Sequence, residues 1–376
     1  MATPPSTGAQ LRGPIFIVGY IHTGTSLLHN ILSRDGSLFA SAGESHFFHD
    51  LKRIRGEFPN LDDPTVLRDY VYFLVMLAYL GARKAATQRN EFTLGELGLT
   101  AADFETVLAA ARKTLAVAPA EQRHEALFST VMDQLTAING KRRWLEKTPA
   151  HVHFLGPILN QWPDARVVEL VRDPRGALAS RKHRRTEEWL DAKEEAEGAE
   201  TDRTTNFDPL LDSMMWKEAV RAGDEAKLAH PGRVLTVRYE DMVSRPAEVI
   251  PQICDFVGLA YTDRLLEVGW VNSTSKSGSG SEGISTAAIE KWRKSLTTEE
   301  IHVCQVVLRQ DMARYQYEPV PVSAAVRAKT PVLLAQSAGR LASRLGSRQT
   351  TGVEQRRSDT TRRMYRRVVR NLGLQK

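Results

Sequence analysis

The stretch Pro14–Leu28, PIFIVGYIHTGTSLL, decides how the chain is read. Ile15 to Val18 are four consecutive apolar residues that run into Gly19, a short loop, a second glycine at Gly24 and an apolar-periodic segment. That order spells a buried strand, a tight loop and a helix. Gly19 to Gly24 has the G-x-x-x-x-G spacing of a phosphate-binding loop, but Thr25 and Ser26 stand where that motif carries Lys and Ser/Thr. Backbone N–H groups of such a turn, and the positive end of the helix behind it, suit a phosphate. Without the lysine, the loop lacks the group that usually meets the outer phosphates of a nucleoside triphosphate. A phosphate is expected here, and ATP is not.

Working outward, a helix over Ser26–Leu32 leads to a short strand, Leu38–Ser41, which delivers Gly43-Glu44-Ser45-His46 to a loop. A carboxylate and a histidine at the C-terminal end of a strand stand where α/β enzymes place their chemistry, although Glu44 alone also reads as an exposed loop acid. Asp62 to Asn139 is helical in pattern, with Leu67, Tyr70, Val71, Leu74 and Leu77 at three- and four-residue spacing. The aromatic residues there, Tyr70, Tyr72, Phe73 and Tyr79, read as core rather than as an acceptor pocket. A strand over Arg143–Leu145 runs into Glu146-Lys147-Thr148-Pro149, so Lys147 emerges at a strand-to-helix junction. Ala165–Val171 is the second strong buried strand; Arg172 follows it, and Ser180 comes two helical turns later. Such a pair can converge on one anion, because guanidinium grips phosphate through a bidentate fork. Val234–Val237 is a third buried strand, followed by a helix over Ala247–Val257. The polar run Ser273–Ser285 reads as a lid, and Glu187–Asp202 as a solvated charge run.

Length and composition fit a soluble α/β protein of 376 residues. The net charge of +6 is uneven: from Ser323 onward there are 13 Lys/Arg against 2 Asp/Glu, a balance of +11, which leaves −5 on the first 322 residues. Cys254 and Cys304 lie in apolar helical contexts and read as buried, reduced thiols. The N-terminal MATPPSTGAQLRG has no apolar core, and no run approaches the length of a membrane span, so a cytoplasmic protein is expected. The tail holds weak amphipathic stretches at Val332–Leu345 and Arg362–Leu372, suited to an anionic membrane surface or to a poorly ordered basic extension.

Taken together, these elements resemble the sulfotransferases that use 3'-phosphoadenosine 5'-phosphosulfate (PAPS), from Pro14 to about Tyr317. His22-Thr23-Gly24-Thr25-Ser26 matches the family's 5'-phosphosulfate loop, and Arg172 with Ser180 eight residues on matches its 3'-phosphate pair. VRYEDMVSRPAEVIPQICDFVGL resembles a family strand and helix, and GISTAAIEKWRKSL its late cofactor-closing loop. EKTP at Glu146–Pro149 is similar to an element of glycan and tyrosylprotein sulfotransferases, in which a glutamate spaced like Glu44 is catalytic. One departure is His22, where the family carries Lys or Arg. Charge at the leaving oxygen would then depend on pH or fall to Lys147.

The resemblance implies a P-loop-like three-layer α/β/α fold with a central parallel sheet, a helical insertion after the second strand and a basic C-terminal tail. It divides the chain into a flexible N-terminus (1–12), a sulfotransferase domain (13–320, with the insertion at 62–140 and a cofactor-covering loop at 272–286) and a C-terminal extension (321–376). It implies in-line sulfuryl transfer from PAPS to an acceptor hydroxyl of a small molecule, glycan or lipid, without a metal and without nucleic acid. Thr23, Gly24, Thr25 and Ser26 would hold the 5'-phosphate, and Arg172 and Ser180 the 3'-phosphate. His22, Lys147 and Ser285 would meet the transferring group, with Glu44 as base and His46 as the second choice. Two other readings stay open: a kinase-like phosphotransferase, and a non-catalytic scaffold whose basic tail binds a membrane or nucleic acid.

Overall fold

Every residue of Ile15–Gly19 is buried, and its side chains alternate between two apolar layers. In the computed structural model, which describes residues 13–87, 92–183, 207–268 and 284–346, that segment is β1 of a parallel sheet. The other strands are β2 (Leu38–Ala40), β3 (Arg143–Lys147), β4 (Arg166–Val171) and β5 (Val234–Arg238), in the order β2-β3-β1-β4-β5. Registers run Ile17 to Lys147 on one side of β1 and Gly19 to Leu170 on the other.

Period-two alternation sends Ile15, Ile17, Leu145, Val168 and Leu170 to one face, under α1 (Thr25–Leu32), α9 (Tyr239–Ser244) and α10 (Pro246–Val257). Phe16, Val18, Trp144 and Val167 point to the other face. That face is covered by α2 (Phe47–Glu57), α3 (Pro64–Thr87), α4 (Ala101–Val117), α5 (Arg123–Ile138), α6 (Leu155–Gln161), α7 (Pro174–His183) and α8 (Pro209–Ala229). Helices on both faces of an all-parallel sheet make the expected three-layer sandwich. Leu28 and Ile31 of α1 are fully buried, each contributing about 1.5–3 kcal/mol through lost apolar exposure. Because β1 lies between β3 and β4, the chain order reverses at its carboxyl end, where an open α/β sheet leaves its binding crevice.

α3 to α5 lie within the stretch 62–140 read as a helical insertion, and there Tyr70 and Phe73 are core residues. One finding corrects the sequence reading: Pro64–Ala82 is, by length and composition, a helix able to cross a membrane. More than half of it is buried inside the fold, so core packing accounts for its apolar character. Gly81 (φ +75°) kinks α3 near its end. After β5 come α11 (Trp292–Ser295), α12 (Thr298–Val307), α13 (Arg309–Arg314) and α14 (Ala324–Gly346). Cys254 and Cys304 are buried, free thiols, as expected; burial pushes them up to about 11 and about 12. The N-terminal segment, the charge run, most of the 272–286 loop and the tail beyond 346 lie outside the described residues.

Candidate active site

The site is assembled from strand ends. Gly19 closes β1, Lys147 closes β3, and Arg172 follows β4, so adjacent strands deliver the phosphate loop and two cations to one edge of the sheet. In the loop, His22 takes a left-handed conformation (φ +65°) and Gly24 caps α1 at φ +92°. A Cβ at Gly24 would sit 2.4 Å from Tyr239 Cδ2, so this turn admits only glycine. Thr23 is fully buried and its hydroxyl donates to Tyr20 O at 2.7 Å. Its side chain therefore closes the loop, which leaves its backbone for an anion. Thr25 is buried in the first turn of α1 and Ser26 is exposed there.

Arg172 ties the Gly19–Gly24 loop to α7 and to the segment around Ala288. Its Nη1 donates to His22 O at 2.9 Å and to Ser180 Oγ at 3.3 Å, its Nη2 donates to Ala288 O at 2.7 Å, and its guanidinium lies 4.5 Å over the Tyr239 ring. The Arg172–Ser180 spacing read from sequence is thus a contact in space. Arg172 Nε is buried without a hydrogen-bond partner, a donor suited to an anionic ligand. His183, Lys291 and Ser295 share a small cleft with Arg172 and Ser180. His183 escaped the sequence reading, whereas Lys291 and Ser295 lie in the GISTAAIEKWRKSL stretch that resembles the family's late cofactor-closing loop, without having been singled out. Arg175 plays a structural part instead. It pairs with Asp173 at 2.6 Å and stacks 4.2 Å over Trp292, fixing α11 against α7. Ser285 Oγ accepts from Ala287 N at 3.2 Å, in the segment whose Ala288 carbonyl meets Arg172.

Glu44 and Lys147 are partners. Lys147 Nζ donates to Glu44 Oε1 at 2.8 Å, and His46 Nε2 lies 3.2 Å from Glu44 Oε2. Burial pushes the Glu44 carboxyl up, but the His46 hydrogen bond and the Lys147 charge outweigh it and hold the group at about 2. Burial alone would lower His46; its hydrogen bond and charge contact with Glu44 raise it instead. His46 itself holds a left-handed backbone (φ +48°). A non-glycine residue in that region is strained, and such strain concentrates at functional sites.

What keeps that loop in place was not legible from sequence. Glu146, read as part of a junction, is a fully buried anchor near the end of β3. Its Oε1 accepts from Ser45 Oγ at 2.7 Å and Thr148 Oγ1 at 2.5 Å, and its Oε2 lies 3.0 Å from His151 Nδ1. Thr148 Oγ1 in turn accepts from His46 N at 3.3 Å. Burial would raise Glu146, but the charge and hydrogen bond of His151 and the two hydroxyls hold it at about 2. From the other side, the kinked end of α3 clamps the same loop: Ala82 N donates to Glu44 O at 2.8 Å, and the Gly81 and Gly43 backbones touch, so a Cβ on Gly43 would lie 2.9 Å from Gly81 Cα. The insertion thus positions Glu44, and paired glycines were the only sign of it in the sequence. Among the described residues no three His, Cys, Asp or Glu side chains gather closely enough to hold a metal.

The geometry defines an α/β protein that brings a glycine-capped loop and Arg172 to one sheet edge beside a paired carboxylate and lysine. Residues 14–263 match the model of the sulfotransferase family, and the chain belongs to that family. It is 29% identical over 187 residues to carbohydrate sulfotransferase 3 of Homo sapiens, covering 46% of this chain and 37% of that one. To carbohydrate sulfotransferase 2 of Mus musculus it is 29% identical over 206 residues, 45% of this chain and 38% of the relative. The chain thus spans less than half the length of these curated relatives. Among solved structures, the sulfotransferase domain from the curacin biosynthetic pathway aligns with a TM-score of 0.46 at 16% identity, covering 83% of this chain and 100% of that domain.

Proposed function

We propose that this protein transfers a sulfuryl group from PAPS to a hydroxyl of a glycan, releasing adenosine 3',5'-bisphosphate. The observation that carries the reading is the Glu44 and Lys147 pair, 2.8 Å apart, beside a lysine-free phosphate loop and an arginine with an orphaned buried nitrogen. The matches to carbohydrate sulfotransferases support the glycan as acceptor. The residues fit the donor at both ends. Backbone N–H groups of the loop and the start of α1 take the 5'-phosphate, while Arg172 and Ser180, with His183 and Lys291 beside them, take the 3'-phosphate.

Transfer forms a bond from the acceptor oxygen to sulfur as the bond from sulfur to the 5'-phosphate oxygen breaks, and the acceptor proton passes to Glu44. Held at about 2 by its partners, Glu44 is a weak base while Lys147 stays on it. When Lys147 turns to the sulfuryl oxygens, the carboxylate loses a cation and its affinity for a proton rises. Donor binding therefore arms the base. His22 stands in the loop where the leaving oxygen would sit, and when protonated it adds a cation there.

Calorimetry with adenosine 3',5'-bisphosphate, AMP, and ATP with magnesium tests the donor class. The bisphosphate should bind tightest, and Arg172→Ala should weaken it about 10- to 100-fold, the size of one lost charge-assisted contact, while AMP binding holds. Glu44→Gln should keep bisphosphate affinity and lower turnover with labelled PAPS by about 10²–10⁴. Tighter binding of ATP with magnesium would replace this reading with a phosphotransferase. A protein that binds none of the three nucleotides would favour a scaffold.

A further inference from the structure

Charge is segregated along this chain, and neither the fold nor the donor site accounts for it. The first 322 residues carry a balance of −5, whereas Ser323 onward carries 13 Lys/Arg against 2 Asp/Glu. The first of those cations stand on α14 (Ala324–Gly346), which holds Arg327, Lys329, Arg340 and Arg344 and no acidic residue. Leu333 and Leu334 on its inner side pack against Leu210, Leu211 and Met214 of α8 and Val303 of α12, and Val326 and Thr330 are buried. The outer side faces solvent: Arg327, Lys329 and Ala335 are exposed, and Val332 is 58% exposed. No carboxylate among the described residues pairs with Arg327 or Lys329. The helix thus presents two cations flanking an apolar residue, held on a rigid base.

This face is separate from the donor site. Trp216 donates Nε1 to Arg172 O at 3.0 Å from the side of α8 that meets the sheet. At about 100° per residue, Trp216 lies roughly opposite Leu210 and Met214, the residues that carry α14. α8 therefore stands between α14 and Arg172, and a partner on the outer side of α14 leaves the donor contacts open. Beyond α14, outside the described residues, the sequence Arg362–Leu372 repeats Met364, Tyr365, Val368, Val369 and Leu372 at three- and four-residue spacing, with five arginines among them. Apolar residues interleaved with arginine at that period suit a lipid headgroup layer, which takes the cations at its phosphates and the apolar groups beneath them. A nucleic-acid backbone would use the cations alone.

We propose that the outer face of α14 and the basic segment that follows it dock this protein on an anionic membrane surface. The inference does not rest on the sulfotransferase reading. The test is flotation of the full chain with phosphatidylcholine vesicles, with and without phosphatidylserine, at about 0.1 M and 0.5 M salt. The protein should float with the phosphatidylserine vesicles at the lower salt, and little at the higher salt or with phosphatidylcholine alone. Each cation near such a surface contributes about fivefold in affinity. Arg327→Gln with Lys329→Gln should therefore weaken binding at least about tenfold, and the four changes Arg362→Gln, Arg363→Gln, Arg366→Gln and Arg367→Gln more than about 100-fold. Both sets should keep the affinity for adenosine 3',5'-bisphosphate, since they lie away from Arg172. Equal binding to vesicles with and without phosphatidylserine, or binding that either set of variants keeps, overturns the proposal. A chain that ignores the vesicles but binds a DNA duplex at the same salt has a nucleic-acid partner instead. Failure of the bisphosphate to bind the wild type overturns the sulfotransferase reading and leaves the membrane contact standing.

Discussion

Replacing Glu146 by Gln should damage turnover without touching the donor. Glu146 is fully buried and meets Ser45, Thr148 and His151 within 3.0 Å. Its carboxyl is held at about 2 against an ordinary 4.5, which at about 1.4 kcal/mol per unit corresponds to roughly 3 kcal/mol of native-state stabilisation. Removing one partner of a buried ion pair costs about 3–5 kcal/mol, a consistent range. For a chain of 376 residues the melting temperature should fall by roughly 4–6 °C at pH 7. The sign of the pH dependence is specific. A depressed carboxylate stabilises the fold above its unfolded value and loses that contribution as pH falls through its folded value. The gap between wild type and Glu146→Gln should therefore be full at pH 7 and close as pH drops from about 4.5 toward 2. Thermal unfolding followed by circular dichroism at about pH 7, 4 and 3 measures it. Because Glu146 holds Ser45 and, through Thr148, His46, the turnover number should fall while bisphosphate affinity stays within about twofold, the donor contacts lying on other loops. A gap that does not change with pH, or bisphosphate affinity that falls along with turnover, would refute the reasoning.

Lys147→Ala removes a cation 2.8 Å from Glu44, so the carboxyl should rise from about 2 and the acid limb of kcat/KM should move to higher pH, read from a pH–rate profile. Gly24→Ala drives a Cβ to 2.4 Å from the Tyr239 ring at a left-handed φ, and should lower stability by about 1–3 kcal/mol and abolish bisphosphate binding, checked by denaturant unfolding and calorimetry.

Much of the loop edge of the sheet was legible because its signals are local. Gly19, Gly24, Arg172 and Ser180 are separated by short spacings within single strand–loop–helix units, and local geometry carries those spacings into space. The acceptor side was less legible. Glu146 is a charged residue whose burial depends on Ser45, about a hundred positions away in the chain, and on His151. Nothing beside it in the sequence distinguishes it from a solvated acid. The membrane-length helix shows the converse, since an apolar run has the same composition whether lipid or a sheet covers it.

The sequence by itself determined the buried strands, the glycine loop and the Arg172–Ser180 spacing, which rest on hydrophobic periodicity, turn chemistry and fixed spacing over a few residues. The three-layer fold and the roles expected of Glu44 and Lys147 came from the family resemblance those elements carry. Only the tertiary structure decided that Glu44 and Lys147 pair with each other, that Thr23 turns its hydroxyl inward, and that the kink at Gly81 clamps the loop carrying Glu44. Those outcomes depend on which distant side chains share a buried space, and there the cost of leaving a charge or hydroxyl without a partner selects the arrangement.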